Sequence, residues 1–131
     1  MDAKARVLVV DDDPHVVQML VAALTDDGYQ VDVAKNGAEA LAAVRVRRPD
    51  LILLDLMMPS YSGWDFVSSY RKTPGPHAPV IVVTAAPEST LLGLAATPGV
   101  EAVVRKPFRL NHLLAIMRQQ TGHGQMPQTA T

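Results

Sequence analysis

The sequence predicts an α/β fold: a doubly wound, five-stranded parallel sheet in the order 2-1-3-4-5. Three observations carry that expectation. Short, nearly continuous apolar runs recur at 7–10, 51–54, 80–83 and 100–105, as strands buried on both faces would require. Segments with helical spacing of apolar residues lie between and after them, and such alternation implies a parallel sheet covered by helices on both sides. The remaining strand candidate, second in the chain, Gln30-Val31-Asp32-Val33-Ala34, instead alternates polar and apolar, as an edge strand does. With right-handed crossovers, placing that strand at an edge and the first and third strands in the centre gives the stated order.

The elements follow in turn. Val7-Leu8-Val9-Val10 is the first strand, and it ends on Asp11-Asp12-Asp13-Pro14. Asp13 followed by Pro14 is a helix start, an N-cap acceptor before proline at the first helical position. That gives Asp13 a structural role and leaves Asp11 and Asp12 unexplained by capping. Val16, Val17, Leu20, Val21 and Leu24 form the helix's apolar stripe, and Gly28 can take the left-handed conformation that ends it. After the edge strand, Asn36-Gly37-Ala38-Glu39 has capping-box-like spacing and opens a second helix with Ala40, Leu41 and Val44 inward. Arg45, Arg47 and Arg48 at its end read as cations at a helix C-terminus. The third strand, Leu51-Ile52-Leu53-Leu54, runs into Asp55. A third helix over about 64–72 turns Phe66, Val67 and Tyr70 inward, with Trp64 expected to be buried. Turn residues fill 73–79. The fourth strand ends at Thr84, a weak helix is expected over 87–96, and the fifth strand leads to Lys106-Pro107-Phe108. The last helix carries Leu110, Leu113, Leu114 and Met117 at i, i+3, i+4 and i+7. Residues 1–121 are expected to form one domain and 122–131 a tail.

Composition excludes several classes. The 131 residues are 48% hydrophobic and 19% charged, a globular balance. A net charge of −1 gives no case for direct nucleic-acid or anionic-membrane binding. No cysteine is present, which excludes disulfides, thiolate metal sites and cysteine nucleophiles and fits a cytoplasmic setting. No run approaches a membrane span, and the N-terminus has no signal-peptide pattern. The four histidines, His15, His77, His112 and His123, lack ligand spacing.

The chemistry gathers at the carboxyl ends of the strands, where open parallel sheets bind ligands. Asp11 and Asp12 follow strand one, Asp55 strand three, Thr84 strand four and Lys106 strand five. Strands one and three are neighbours in the predicted order, so three carboxylates crowd one site, and like charges at close range call for compensation. A hard divalent cation such as Mg2+, with oxygen ligands, compensates best. The lack of histidine and cysteine nearby argues against zinc or copper. A metal, a lysine and a hydroxyl are equipment for holding a phosphoryl group. A carboxylate can be the nucleophile, and Asp55, central to the cluster, is the expected acceptor.

Together, Val9-Val10-Asp11-Asp12-Asp13-Pro14, Asn36-Gly37, Leu53-Leu54-Asp55 with Met58-Pro59 and Gly63, Val82-Val83-Thr84-Ala85 and Lys106-Pro107-Phe108 resemble a response-regulator receiver domain of two-component signalling. The resemblance runs over about 6–119. It implies the flavodoxin-like (βα)5 receiver fold, whose strand order is the one predicted, so the two are not independent. It implies that Asp55 takes a phosphoryl group from a phosphohistidine on a sensor histidine kinase or phosphotransfer protein. It implies Mg2+ held by Asp12 directly, Asp11 largely through water, Asp55 and the Met57 backbone carbonyl, with Thr84 as switch hydroxyl and Lys106 contacting the phosphoryl group. The family's cis bond maps to Lys106-Pro107. The chain departs from the family at Val103, where many members carry an aromatic switch residue. Met57, two past the acceptor, cannot orient a water through a side-chain hydrogen bond, which predicts a long-lived phosphoryl state.

Activation in the family acts on the face of the fourth helix, fifth strand and fifth helix. From residue 85 to 104 the only charges are Glu88 and Glu101. Leu91, Leu92, Leu94 and Val103 are therefore candidates for an apolar output face that takes an unknown downstream protein or a second copy as a homodimer. No effector-domain pattern follows the last helix, so the expectation is a stand-alone receiver or a fragment of a longer protein. It is not an enzyme beyond self-phosphorylation from a donor and autodephosphorylation. The competing readings are an aspartyl phosphatase, disfavoured by Met57 where a second carboxylate would sit, a flavodoxin-like cofactor binder, disfavoured by the acidic loop after strand one, and a phosphorylation-independent interaction scaffold.

Overall fold

The computed structural model describes residues 5–58, 62–91 and 93–121. Five parallel strands, β1 (Arg6–Val10), β2 (Gln30–Ala34), β3 (Leu51–Leu54), β4 (Val80–Thr84) and β5 (Val100–Arg105), lie in the order β2-β1-β3-β4-β5, as the sequence predicts. The helices are α1 (Pro14–Asp26), α2 (Gly37–Val46), α3 (Gly63–Arg71) and α4 (Leu110–Thr121). Every residue of β3 and β4 is buried. Two cores result, one per face of the sheet. Leu8, Ile52, Leu54 and Val82 meet α2 and α3 on one side, and Val7, Val9, Leu51, Leu53 and Ile81 meet α1 and α4 on the other. Alternate residues of the central strands feed opposite cores, which is why Val7–Val10, Leu51–Leu54 and Val80–Val83 carry no polar residue.

The helix starts form as the sequence predicts. Asp13 caps α1 by accepting the His15 N–H at 2.9 Å, with Pro14 in the first turn. Asn36 caps α2 through the Glu39 N–H at 2.9 Å, and the Glu39 carboxylate reaches back to the Lys35 N–H at 2.8 Å. Gly28, after α1, has φ +98°. The Lys106-Pro107 peptide is cis, as the resemblance implies. β2 is an edge strand, but its burial does not alternate cleanly: Asp32 is half-buried because Arg6 and Arg47 clamp its carboxylate at 3.1 and 3.3 Å.

Two expectations need correction. The segment 87–96 forms no α-helix. It makes two 3-10 turns, Glu88–Leu91 and Leu94–Ala96, separated by Gly93 at φ +79°. A left-handed residue in mid-segment interrupts any continuous helical ladder. Trp64 is not buried but 42% exposed. On α3 it shares a face with Val67, Ser68 and Arg71 and lines a shallow groove with Thr97 and Pro98, while Phe66 and Tyr70 fill the core.

Strand register sets the level of the site. Val10 pairs with Leu54, so Asp11 and Asp55 leave the sheet side by side. Thr84 pairs with Arg105, after a register shift near Val80 that leaves Glu101 exposed, so Lys106 emerges beside Thr84.

Candidate phosphoryl-acceptor site

Backbone bonds extend the ladders just past the strands and fix the site residues. The Asp55 N–H donates to the Val10 carbonyl at 2.9 Å, the Asp11 N–H to Ala34 at 3.1 Å and the Lys106 N–H to Thr84 at 2.9 Å. Each functional side chain therefore starts from a backbone held by the sheet. Among the described residues, Asp11, Asp55 and Thr84 are the buried polar or charged ones, at 3, 6 and 0% exposure. Buried carboxylates demand partners, and these have them. The Lys106 ammonium lies 2.7 Å from Asp11 Oδ2 and 3.2 Å from Asp55 Oδ2. The Thr84 hydroxyl donates to Asp55 Oδ1 at 2.9 Å and accepts the Ala86 N–H at 3.2 Å. The Met57 N–H donates to Asp55 Oδ1 at 3.0 Å, and Asp13 N–H to Asp11 Oδ1 at 2.9 Å.

The electrostatics are unbalanced. Burial pushes the Asp11 carboxyl above its ordinary range, and the Lys106 hydrogen bond only partly opposes this. For Lys106, burial pulls the ammonium down, but the hydrogen bond to Asp11 and the Asp11 and Asp55 charges outweigh it and hold the proton more tightly than usual. Ligand atoms of Asp11, Asp12 and Asp55 all lie within 4.8 Å of one another, with Asp12 exposed at the mouth. Three carboxylates against one ammonium leave an excess of negative charge. An all-oxygen donor set with one solvent-facing member suits a hard cation that keeps part of its hydration, so the residues fit Mg2+.

The structure thus brings Asp11, Asp12, Asp55, Thr84 and Lys106 together. Met57 joins them through its N–H, while its side chain is 60% exposed. Two supports lay beyond the roles that sequence reasoning assigned, although Gly63 was among the residues carrying the resemblance. The Ala86 N–H, which fixes the Thr84 rotamer, is a backbone group with no side-chain signature. Gly63 packs against the site's own backbone: a Cβ there would stand 2.6 Å from the Asp55 carbonyl oxygen and 2.8 Å from Leu56 Cα. Its position at the start of α3 was the available signal.

The described members of the candidate output face are all at least partly buried. Leu94 is 1% exposed and belongs to the core below α3, which removes it from any docking patch. Leu91 and Val103 are half-buried against the same core. Once 87–96 is not a helix, helical spacing no longer decides which leucines point outward. Leu92, Pro59 and the 122–131 tail lie outside the described residues.

The sequence and the architecture have parallels among known proteins. The profile of the response regulator receiver domain matches residues 7–118. The DNA-binding response regulator MtrA of Mycolicibacterium smegmatis is 39% identical over 115 residues, 88% of this chain and 50% of MtrA. The response regulator MprA of a Mycobacterium species is 39% identical over 113 residues, 86% of this chain and 49% of MprA. The chain therefore spans about half the length of the curated relatives it matches. Among solved structures, the chemotaxis response regulator CheY4 of Vibrio cholerae is 34% identical with a TM-score of 0.79, over 90% of this chain and 99% of that one. The response regulator TrrA of Thermotoga maritima, solved in complex with Mg(2+)-BeF, is 32% identical with a TM-score of 0.77, over 88% of this chain and 98% of that one. Strand order, an acidic cluster at the strand ends and a family match over nearly the whole length agree, and the chain belongs to the response regulator receiver domain family.

Proposed function

We propose that Asp55 accepts a phosphoryl group from a phosphohistidine on a sensor histidine kinase or phosphotransfer protein, and that the phosphorylated form differs from the free form in partner binding. The observation that carries this is the Asp55 carboxylate itself, held at the end of β3 by Thr84, Lys106 and the Met57 N–H within a three-carboxylate cluster. An Asp55 oxygen forms the new O–P bond as the P–N bond of the phosphoimidazole breaks, and the donor imidazole leaves with the electron pair. Mg2+, held by Asp11, Asp12, Asp55 and the Met57 carbonyl, would supply the positive charge that a transferring phosphoryl group requires. Lys106 adds a second cation, and the Thr84 hydroxyl donates a hydrogen bond once the phosphoryl oxygens replace the bare carboxylate as its acceptor. That exchange of acceptors couples the site to β4 and the 3-10 turns after it, because Thr84 also holds the Ala86 N–H. Chemistry is confined to self-phosphorylation and autodephosphorylation. A cytoplasmic setting and the absence of direct nucleic-acid contact by this stretch belong to the same proposal.

Intact-mass spectrometry after incubation with a small acyl phosphate tests it. One phosphoryl adduct should form with Mg2+, and it should vanish with chelator and in Asp55→Asn. An adduct that persists in Asp55→Asn, or none under any donor, would overturn the assignment.

A further inference from the structure

A second cleft lies at the opposite end of the sheet from Asp55. Its floor is formed where Asp50 leads into β3 and Pro79 into β4, and its walls come from the end of α2, from α3 and from the α3–β4 connection. β3 is four residues long, so roughly 13 Å of strand at about 3.3 Å per residue separates this cleft from the phosphoryl site. The cleft measures about 670 Å3, within the range of about 300–1,000 Å3 that takes ring-sized organic ligands.

Its polar lining is dominated by donors. The sequence places three arginines around the end of α2, and the structure separates them: Arg47 turns to Asp32 on the edge strand, whereas Arg45 and Arg48 face the cleft. Neither Arg45 nor Arg48 makes a side-chain ion pair or hydrogen bond with a described residue. Tyr70 is buried, and its hydroxyl accepts the Ala78 N–H at 2.8 Å, which fills its acceptor role and leaves its proton to give. The lone carboxylate in the lining, Asp50, is already engaged by the Arg6 N–H at 2.7 Å. His77 stands at the rim with its ring edge on Tyr70, centroids 4.9 Å apart, and Nε2 2.7 Å from the Thr73 carbonyl oxygen. Two guanidiniums without a side-chain partner among the described residues and a phenolic proton in one concavity select an anion with several oxygens, and guanidinium geometry favours phosphate or carboxylate. Pro74, Pro76 and Pro79 give the rest of the wall flat apolar faces, which an inorganic ion would leave to water.

We propose that this cleft binds a ring-bearing organic phosphate of nucleoside-monophosphate size, with the phosphate on Arg45, Arg48 and the Tyr70 hydroxyl and the ring against the proline wall. The site uses none of the residues of the phosphoryl-acceptor centre.

The test is calorimetric and NMR titration of the whole chain with AMP, GMP, CMP and UMP, at low ionic strength and with EDTA, so that no metal bridges a nucleotide to the acidic cluster. At least one nucleotide should saturate, with amide shifts confined to 45–50 and 70–79. The matching nucleoside without phosphate should not bind, and inorganic phosphate should bind the same amides more weakly. Arg45→Gln/Arg48→Gln should weaken binding by about tenfold or more, the loss expected on removing charge-assisted hydrogen bonds. The double variant should leave the remaining spectrum and Asp55 phosphorylation unchanged. No saturation by any nucleotide in the millimolar range, equal affinity in the double variant, or shifts centred on Asp11, Asp12 and Asp55 would overturn the site. Inorganic phosphate binding as tightly as the nucleotides would overturn the ring-bearing occupant.

Discussion

Lys106 holds two carboxylates with one ammonium, and its proton is correspondingly hard to remove. Its folded pKa stands above the ordinary 10.5, and burial raises the Tyr29 phenol above 10.0 as well. In both cases the folded state binds the proton more tightly than the unfolded chain does. Their contribution is fully present below about pH 10 and is lost as pH rises through the folded values. Urea midpoints measured from about pH 9 to pH 11 should fall, each group steepening the loss by at most about 1.4 kcal/mol per pH unit. Tyr29→Phe and Lys106→Gln should each flatten the curve, and an unchanged slope in both would show that other groups govern alkaline unfolding. Met57 sets a second residue-scale expectation. Its side chain lies exposed two residues past Asp55 and offers only a weakly accepting thioether sulfur, with no donor to orient an attacking water. Met57→Asn should shorten the phosphoryl lifetime several-fold in a timed decay after donor removal, well short of the roughly 100–10,000-fold that a positioned general acid or base supplies. An unchanged lifetime would remove Met57 from the account.

The central strands were readable from sequence because their burial is complete. Leu51–Leu54 and Val80–Thr84 are buried on both faces, so apolar continuity identified them and their ends located Asp55 and Thr84. Asp13-Pro14 and Asn36 announced α1 and α2 because a cap is a local event. The segment 87–96 failed for the opposite reason. Its leucines are apolar without a period, and whether Leu94 is core or surface depends on packing against α3 and β5, which no local pattern encodes. Trp64 failed likewise, because its size suggested burial while the stripe of α3 assigned the core to Phe66 and Tyr70. Gly63 shows what only three dimensions reveal: α3 begins so close to β3 that no side chain fits between them. The obstructing atoms are backbone, so Gly63→Ala must displace the start of α3 or the Asp55–Leu56 peptide. The loss should be about 1–3 kcal/mol, the usual penalty for overpacking, read as a lower urea midpoint, with slower acceptance of phosphoryl groups at Asp55. A variant of wild-type stability and rate would mean the turn accommodates a methyl group freely.

At the scale of the whole molecule, the fold concentrates negative charge that its separate elements do not have. The net charge is only −1, yet β1 and β3 end side by side and deliver Asp11, Asp12 and Asp55 to one pocket with Lys106 alone in contact among the described cations. Unfolding disperses these carboxylates, so their repulsion belongs to the native state and works against it. A cation that binds only the native cluster must therefore raise stability. At ten times its Kd, Mg2+ should add about 1.4 kcal/mol, or roughly 5 °C in Tm for a domain of this size. Asp12 is the exposed member and makes no ion pair with a described residue, so its charge is opposed by little besides solvent. Asp12→Asn should thus do two things at once in a thermal scan. Without Mg2+ it should raise Tm slightly, by no more than about 1 kcal/mol of stability as for other exposed charges, because it relieves repulsion. With Mg2+ it should lose most of the wild-type gain, because one ligand oxygen no longer carries charge. The two effects have opposite signs and a common cause. A variant less stable than wild type without Mg2+, yet equally responsive to it, would show that the cluster is neither repulsive nor the cation's site.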